Sequence, residues 1–303
     1  MDADDFDASL RLAAFRFLDR LRALRGEIVR LDDVAAFEFV GTRVSLMDPQ
    51  RGIRKPRQLD AALSFRTVHS PRPDRRPYDD EPGPDGYLRY MWRGEDPLHA
   101  ENVAMRRALE RRLPLVWFHG IAAGLYLPVY PVELVAEEPD MRRFVVALDA
   151  DQALGWAETE GLDLTARRRY AERTVLERLH QPLFRARVLH AYEGACAICH
   201  LRHVELLDAA HIVADSEGGE PVVPNGISFC KIHHAAFDFS LIGVRPDYRI
   251  EVREDVLAES DGPTLRHSLQ EVHGTVLELP RQRAARPDPD LLEIRYQRFR
   301  EAG

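Results

Sequence analysis

The stretch that decides the fold runs CAICH (196–200) and then LLDAAHIVADSEGGEPVVPNGISFCKIHHAAFD (206–238). LLDAAHI reads as a strand, Gly218-Gly219 as a bend, VVPNGISF as the return strand and CKIHHAAFD as the start of a helix. Cys196-x2-Cys199 and Cys230-x2-His233 form two knuckles with two-residue spacing. Four such sulfur and nitrogen donors at tetrahedral reach are what structural Zn²⁺ takes. The chain's three cysteines all fall in this segment, and an odd count argues against a disulfide framework. The zinc is expected to be closed and structural, supplying folding free energy to a segment short of apolar residues.

Between and beyond the knuckles, the AAHI segment with His211, the PNG segment with Asn225 and the KIHHAAFD segment with His234 and Asp238 resemble the HNH family, the ββα-metal nucleases. The resemblance covers roughly residues 180–245. It implies that His211 is the general base, that His234 and Asp238 hold one catalytic divalent cation (Mg²⁺ or another), and that Asn225 orients the hairpin. The helical spacing agrees. His234 and Asp238 stand at i, i+4 on one face, while His233 and His234 point about 100° apart, so one can face zinc and the other the cation. One position departs from the family. Ala210 stands where many members carry a metal ligand, and Asp208, two residues earlier on the same strand face, is expected to substitute. The lead-in RLHQPLFRARVLHAYEGAC (178–196) also resembles this family, with Arg178, Gln181 and Arg185 as expected contacts to the DNA backbone.

Working outward, residues 6–25 read as an amphipathic helix on Leu10, Ala14, Phe17, Leu21 and Leu24. Residues 36–76 alternate short apolar runs with Pro and Gly breaks, and 77–86 form a loop by composition. YLRYMW then reads as a strand, 98–112 as a helix, and LPLVWFHGI, LYLPVYPVELVAE and FVVAL as further strands. Residues 150–170 look like a connector, 170–192 like a helix interrupted at Pro182, 281–290 like a second linker and 290–301 like a final helix.

Residues 65–120 are similar to the SRA family, whose members flip a modified cytosine out of duplex DNA. The likeness rests on Tyr78 before Asp79-Asp80-Glu81, on Tyr90 twelve residues later, on Arg93-Gly94, and on Asn102 opening a helix before a strand. It implies that Tyr78 and Tyr90 stack on the extruded base and that Asp80 or Glu81 accepts from its amino group. Arg75-Arg76-Pro77 replaces the family's usual Ser-Gly-Gly.

The expected fold is α+β: an SRA/PUA-like β-barrel module over 1–160, with a helical segment at 1–35, and an HNH domain with structural zinc over 165–303, its core at 190–245. The net charge of −8 is unpromising for a nucleic-acid partner, but the basic residues are clustered. Residues 51–76 hold eight Lys or Arg against two acids, and 166–190 hold seven Arg against two. The acidic start MDADDFDASLRL lacks the shape of a signal peptide, and no apolar run is long enough for a membrane span, so the cytoplasm is the expected compartment. Together the resemblances imply a modification-dependent restriction endonuclease of the McrA type, acting on double-stranded DNA near 5-methylcytosine or 5-hydroxymethylcytosine, as a homodimer. Two alternatives stay open on sequence alone. One is an HNH endonuclease or nickase without dependence on base modification; the other is a DNA-binding protein with an inactive HNH core.

Overall fold

In the computed structural model, which describes residues 2–68, 85, 87–157 and 179–302, the N-terminal helix α1 (Ala3–Arg25) begins earlier than its apolar repeat suggests. The Asp2 carboxylate accepts from Asp5 N at 2.8 Å and caps it, while Arg22 and Arg25 complement the dipole at its end. The buried face is Asp7, Leu10, Arg11, Ala14 and Leu18. Phe17 and Leu21 flank it half-buried, and Leu24 is 78% exposed. A hydrophobic repeat cannot anticipate this face because an ion pair sits in it. Arg11 donates through Nε to Asp7 at 2.6 Å, through Nη1 to Pro114 O at 2.8 Å and through Nη2 to Ala62 O at 2.9 Å. Removing one partner of such a buried pair typically costs 3–5 kcal/mol.

The chain divides into two units, Met1–Pro182 and Leu183–Gly303. In the first, short elements lead into a curled sheet: β1 (Val29–Arg30), α2 (Leu31–Ala35), β2 (Glu38–Phe39), β3 (Thr42–Arg43), β4 (Ile53–Arg54), β5 (Ser64–Thr67), β6 (Leu88–Met91), α3 (Ala100–Glu110), β7 (Leu115–Ala122), β8 (Leu125–Glu138), β9 (Arg143–Ala147) and α4 (Ala150–Ala157). The strand order is β4-β5-β7-β8-β9-β6, with β1 also on β8, and only β5 and β7 run parallel. The long strand β8 serves two ladders. Its residues up to Val132 pair with β7, and those from Glu133 pair with β9. Irregularities at Leu134/Ala136 and at Leu115/Trp117 help it bend. Among the described residues no ladder joins β4 to β6, so the expected closed barrel is here a half-barrel. The connector expected from 150 onward begins as a helix because Asp149 accepts from Gln152 N and Gln152 returns to Leu148 N.

The second unit contains α5 (Gln181–Ala191), β10 (Leu207–His211), β11 (Gly226–Cys230), α6 (Lys231–Asp238), β12 (Ile242–Val244), β13 (Ile250–Val252), α7 (Glu254–Ala258), α8 (Pro263–Ser268) and α9 (Pro289–Ala302). Leu179 and His180 form a π-helical turn that runs into α5, and Pro182 falls just past that change of helix type; the rest of the expected 170–192 helix, up to residue 178, lies outside the described residues. The unit is not short of apolar residues. Phe184, Val188, Leu207, Ile227, Phe229, Phe237, Ile242, Val252, Leu277 and Leu292 share one core. The stretch 281–290 is likewise packed: Asp288 N donates to Pro224 O and the Tyr248 hydroxyl to Pro287 O. Its Pro and Arg content resembles a linker, but its backbone is pinned. No helix among the described residues is long and apolar enough to cross a membrane.

Candidate active site and metal-binding cluster

β10 and β11 pair antiparallel with Leu207 opposite Cys230 and His211 opposite Gly226. Cys230 is also the N-cap of α6, so one residue ends the hairpin, starts the helix and offers a thiol. The four donor atoms of Cys196, Cys199, Cys230 and His233 lie within 4.8 Å of one another. Cys199 Sγ to Cys230 Sγ is 3.8 Å, and His233 Nδ1 is 3.4 Å from Cys196 Sγ and 3.2 Å from Cys230 Sγ. A tetrahedron with Zn–S bonds of about 2.3 Å has S···S edges of about 3.8 Å. The set is therefore compatible with Zn²⁺. Hydrogen bonding from Cys196 pushes the Cys230 thiol down, with His233 adding to the effect. His233 is 1% exposed, and its far nitrogen Nε2 lies 2.8 Å from Ser268 O at the end of α8. That backbone acceptor fixes the tautomer that leaves Nδ1 bare for a metal. Three cysteine thiols and an oriented histidine make up the cluster.

One residue on, His234 faces other partners. Its Nε2 is 3.3 Å from Asp238 Oδ2, and both side chains are partly open to solvent, at 25% and 55% exposed. Adjacent ligands at about 2.1 Å from an octahedral Mg²⁺ lie about 3 Å apart, so the pair fits a small hard cation. Asp208 does not join them as the third ligand expected of it. Its Oδ2 lies 3.7 Å from His234 Nδ1, on the opposite side of the ring, and the same carboxylate binds Lys231 Nζ at 2.7 Å and Arg185 Nε at 3.2 Å. His234 holds this carboxyl well below the usual range, with Lys231 and Arg185 assisting against burial. Asp208 is placed to orient the histidine that it was expected to accompany.

His211 ends β10 beside this pair. Phe184 of α5 stacks on its ring at 3.9 Å and 17°. Burial pushes the imidazole below its usual range; Asp215 and Asp238 pull it up and His234 pushes it down. It is thus neutral near pH 7 and able to accept a proton. Asp215 Oδ1 stands 3.5 Å from His211 Nε2. The loop between the strands is closed by Asn225, which is 1% exposed. Its Oδ1 accepts from Val213 N, and its Nδ2 donates to Val213 O and Glu220 O, each at 2.9 Å. Two glycines permit this. A Cβ at Gly219 would lie 2.0 Å from Val213 O, and one at Gly226 would lie 2.5 Å from Val188 and 2.7 Å from Phe184. The final helix braces both halves. Arg295 donates to Phe237 O at 2.6 Å and Asp238 O at 3.2 Å, and Arg298 pairs with Glu217 of the loop.

Residues 196–245 match the family of HNH endonucleases. This segment is an HNH endonuclease domain. By that domain the chain is a metal-dependent DNA nuclease. Two solved structures are similar over longer spans. One is a modification-dependent TagI restriction endonuclease, at 15% identity and a TM-score of 0.32, covering 82% of this chain and 85% of that one. The other is the type IV phosphorothioation-dependent restriction endonuclease ScoMcrA, at 16% identity and a TM-score of 0.26, covering 63% of this chain and 51% of that one. No curated protein matches the chain.

The other expected site residues stand in varied surroundings. Arg185 donates to Asp208, Val204 O and Leu207 O, so its guanidinium is committed to the domain's interior rather than offered to phosphate. Gln181 is exposed at the start of α5, while Arg178 lies outside the described residues. Tyr78, Asp80 and Glu81 also lie outside them. Tyr90 is described and buried. Its ring packs 4.6 Å from Phe65 and its hydroxyl donates to Arg66 O at 3.4 Å, so it is not an open stacking platform. Asn102 pins the Arg93-Gly94 turn by bonding Arg93 N, Arg93 O and Asp96 O. Sequence reasoning missed Asp215, Ser268, Arg295 and Arg298. Each acts across a loop or from a distant helix, and none stands at a spacing that marks it.

Proposed function

We propose that this chain is a modification-dependent DNA endonuclease whose HNH domain hydrolyses phosphodiester bonds. The observation that carries the catalytic reading is the convergence of His211, His234 and Asp238 beside, and separate from, the Cys3His cluster. In this reading Cys196, Cys199, Cys230 and His233 hold a structural Zn²⁺, and His234 and Asp238 hold one Mg²⁺ or similar cation. That cation supplies charge stabilisation for the pentacoordinate phosphate and the leaving 3′ oxygen. His211 takes a proton from water, the resulting hydroxide oxygen joins phosphorus, and the P–O3′ bond breaks. Asn225 holds the loop after the base, and Asp208 orients His234. Gln181 and Arg178 remain proposed backbone contacts.

The HNH segment offers little to read sequence with, so the first unit is proposed to choose the target. Its curled sheet sets Phe65, Trp117 and Tyr90 close together, with Thr67 Oγ1 3.4 Å from His119 Nδ1 and 3.3 Å from Trp117 Nε1. All three rings are buried, so in this reading they back a pocket for the flat, extruded base rather than stack on it. Tyr78 with Asp80 or Glu81 would complete the site for 5-methylcytosine or 5-hydroxymethylcytosine. One active site cuts one strand, so a double-strand break would need two copies, and we propose a homodimer on double-stranded DNA.

The test is digestion of matched plasmids carrying cytosine, 5-methylcytosine, 5-hydroxymethylcytosine or glucosylated 5-hydroxymethylcytosine, with Mg²⁺. Cleavage confined to one or more modified plasmids is expected. Equal cutting of all four would leave a nuclease without modification dependence. No cutting by the zinc-loaded protein would favour a binding protein with an inactive core.

A further inference from the structure

The two ring nitrogens of His211 have different surroundings. Nε2 is shut off from solvent and has no hydrogen-bond partner among the described residues. The atom that faces it, Asp215 Oδ1 at 3.5 Å, is shut off and unpartnered in the same way. A buried imidazole nitrogen and a buried carboxylate oxygen are each unfavourable alone, and closing the gap by roughly half an ångström would satisfy both. The His211 side chain is 22% exposed although Nε2 is sealed, so its open part lies elsewhere on the ring, and Nδ1 is the nitrogen left to meet water.

We infer that Asp215 is a positioning residue for the general base: its carboxylate takes the Nε2–H of His211 and leaves Nδ1 bare to remove the proton from water. This rests on the reading of His211 as that base. When Nδ1 gains the proton the ring becomes an imidazolium with both nitrogens protonated, and its charge then stands beside the Asp215 carboxylate. The other groups facing the ring are Phe184, stacked from α5, and His234 and Asp238 from α6.

The loop is built to hold the carboxylate in place. Asp215 opens a short 3-10 turn that ends at Gly218 with φ 83°, a conformation that favours glycine. Glu217 N and Gly219 N both donate to Ala214 O, at 2.9 and 3.0 Å. Arg298 of α9 pairs with Glu217 from outside, and Asn225 ties the far end. Each catalytic histidine thus has its own carboxylate, Asp208 behind His234 and Asp215 behind His211.

Long-range ¹H–¹⁵N correlation on the full chain reads the tautomer directly. The wild-type ring is expected to be neutral near pH 7 with the proton on Nε2. Asp215→Asn is expected to shift the population toward the Nδ1–H form and to slow cleavage of plasmid carrying 5-methylcytosine or 5-hydroxymethylcytosine by at least ~100-fold. The zinc content and the Mg²⁺ concentration for half-maximal rate should stay as in wild type, and Asp215→Glu should restore part of the rate. A wild-type Nδ1–H tautomer would overturn the inference. So would an Asp215→Asn variant that cuts at the wild-type rate while His211→Ala is dead, or one whose Mg²⁺ requirement rises tenfold. Wild-type cleavage by His211→Ala would instead overturn the base assignment beneath it.

Discussion

His233 and His234 are consecutive, yet they belong to different kinds of site. His233 is 1% exposed, with thiols at one nitrogen and a backbone carbonyl at the other. His234 is 25% exposed, with Asp208 at one nitrogen and Asp238 at the other. The helical turn of about 100° per residue separates them. The closed cluster spends every donor within the protein and can only hold shape. The open cluster leaves room on one side, and room is what a cation needs if it is also to meet water and phosphate. In the proposed reading, burial and donor softness, rather than residue type, divide a structural histidine from a catalytic one.

The largest way to break this division is at the closed cluster. Cys199→Ser removes one of four donors and should abolish stoichiometric zinc. Apparent zinc contributions run to about 10–16 kcal/mol in small modules. This unit keeps its own apolar core, so the expected result is a fall in its thermal midpoint of more than about 10 °C rather than complete unfolding. Retained zinc and an unchanged midpoint would show that the cluster is not a metal site. Next in size is His211→Ala, expected to lower cleavage about 10²–10⁴-fold while zinc content and thermal midpoint stay as in wild type. A loss of zinc or of fold in this variant would blur the two sites together.

Asp208→Asn should have a smaller effect. Loss of this orienting group should weaken the cation affinity or the rate about 10–100-fold, measured as Mg²⁺ dependence of plasmid cleavage. A change confined to thermal stability would make Asp208 a purely structural anchor for Lys231 and Arg185. The smallest effect is in pH. Burial holds His211 below its usual range, so it stays neutral until the pH falls past that lowered value. Cleavage should therefore be flat from neutral pH down to about 6.5 and decline only below it. A decline centred above about 7 would contradict a buried, neutral base.

Much of the HNH domain was legible because its candidate ligands sit at fixed spacings on short elements. The two-residue knuckles, the strand–bend–strand run and the i, i+4 pair His234/Asp238 can all be read without knowing what packs around them. The supports were not legible. Asp215 reaches His211 only through a loop conformation, and Ser268 meets His233 from 35 residues away. Arg185 looked like a phosphate contact because arginine often is one, but three internal acceptors claim it. In the first unit, Arg11 on a buried helix face defeated a purely apolar reading, and long-range ladders curl the sheet through irregularities that leave no sequence mark.

The most direct test of a closed zinc cluster beside an open catalytic one is a metal exchange on the full chain, assayed on plasmid carrying 5-methylcytosine or 5-hydroxymethylcytosine. After dialysis against EDTA, a closed zinc cluster beside an open catalytic site should leave about one zinc per chain and no cleavage. Added Mg²⁺ should restore cleavage in wild type but not in His211→Ala. Cleavage by the zinc-only protein, or Mg²⁺-dependent cleavage by His211→Ala at the wild-type rate, would contradict it.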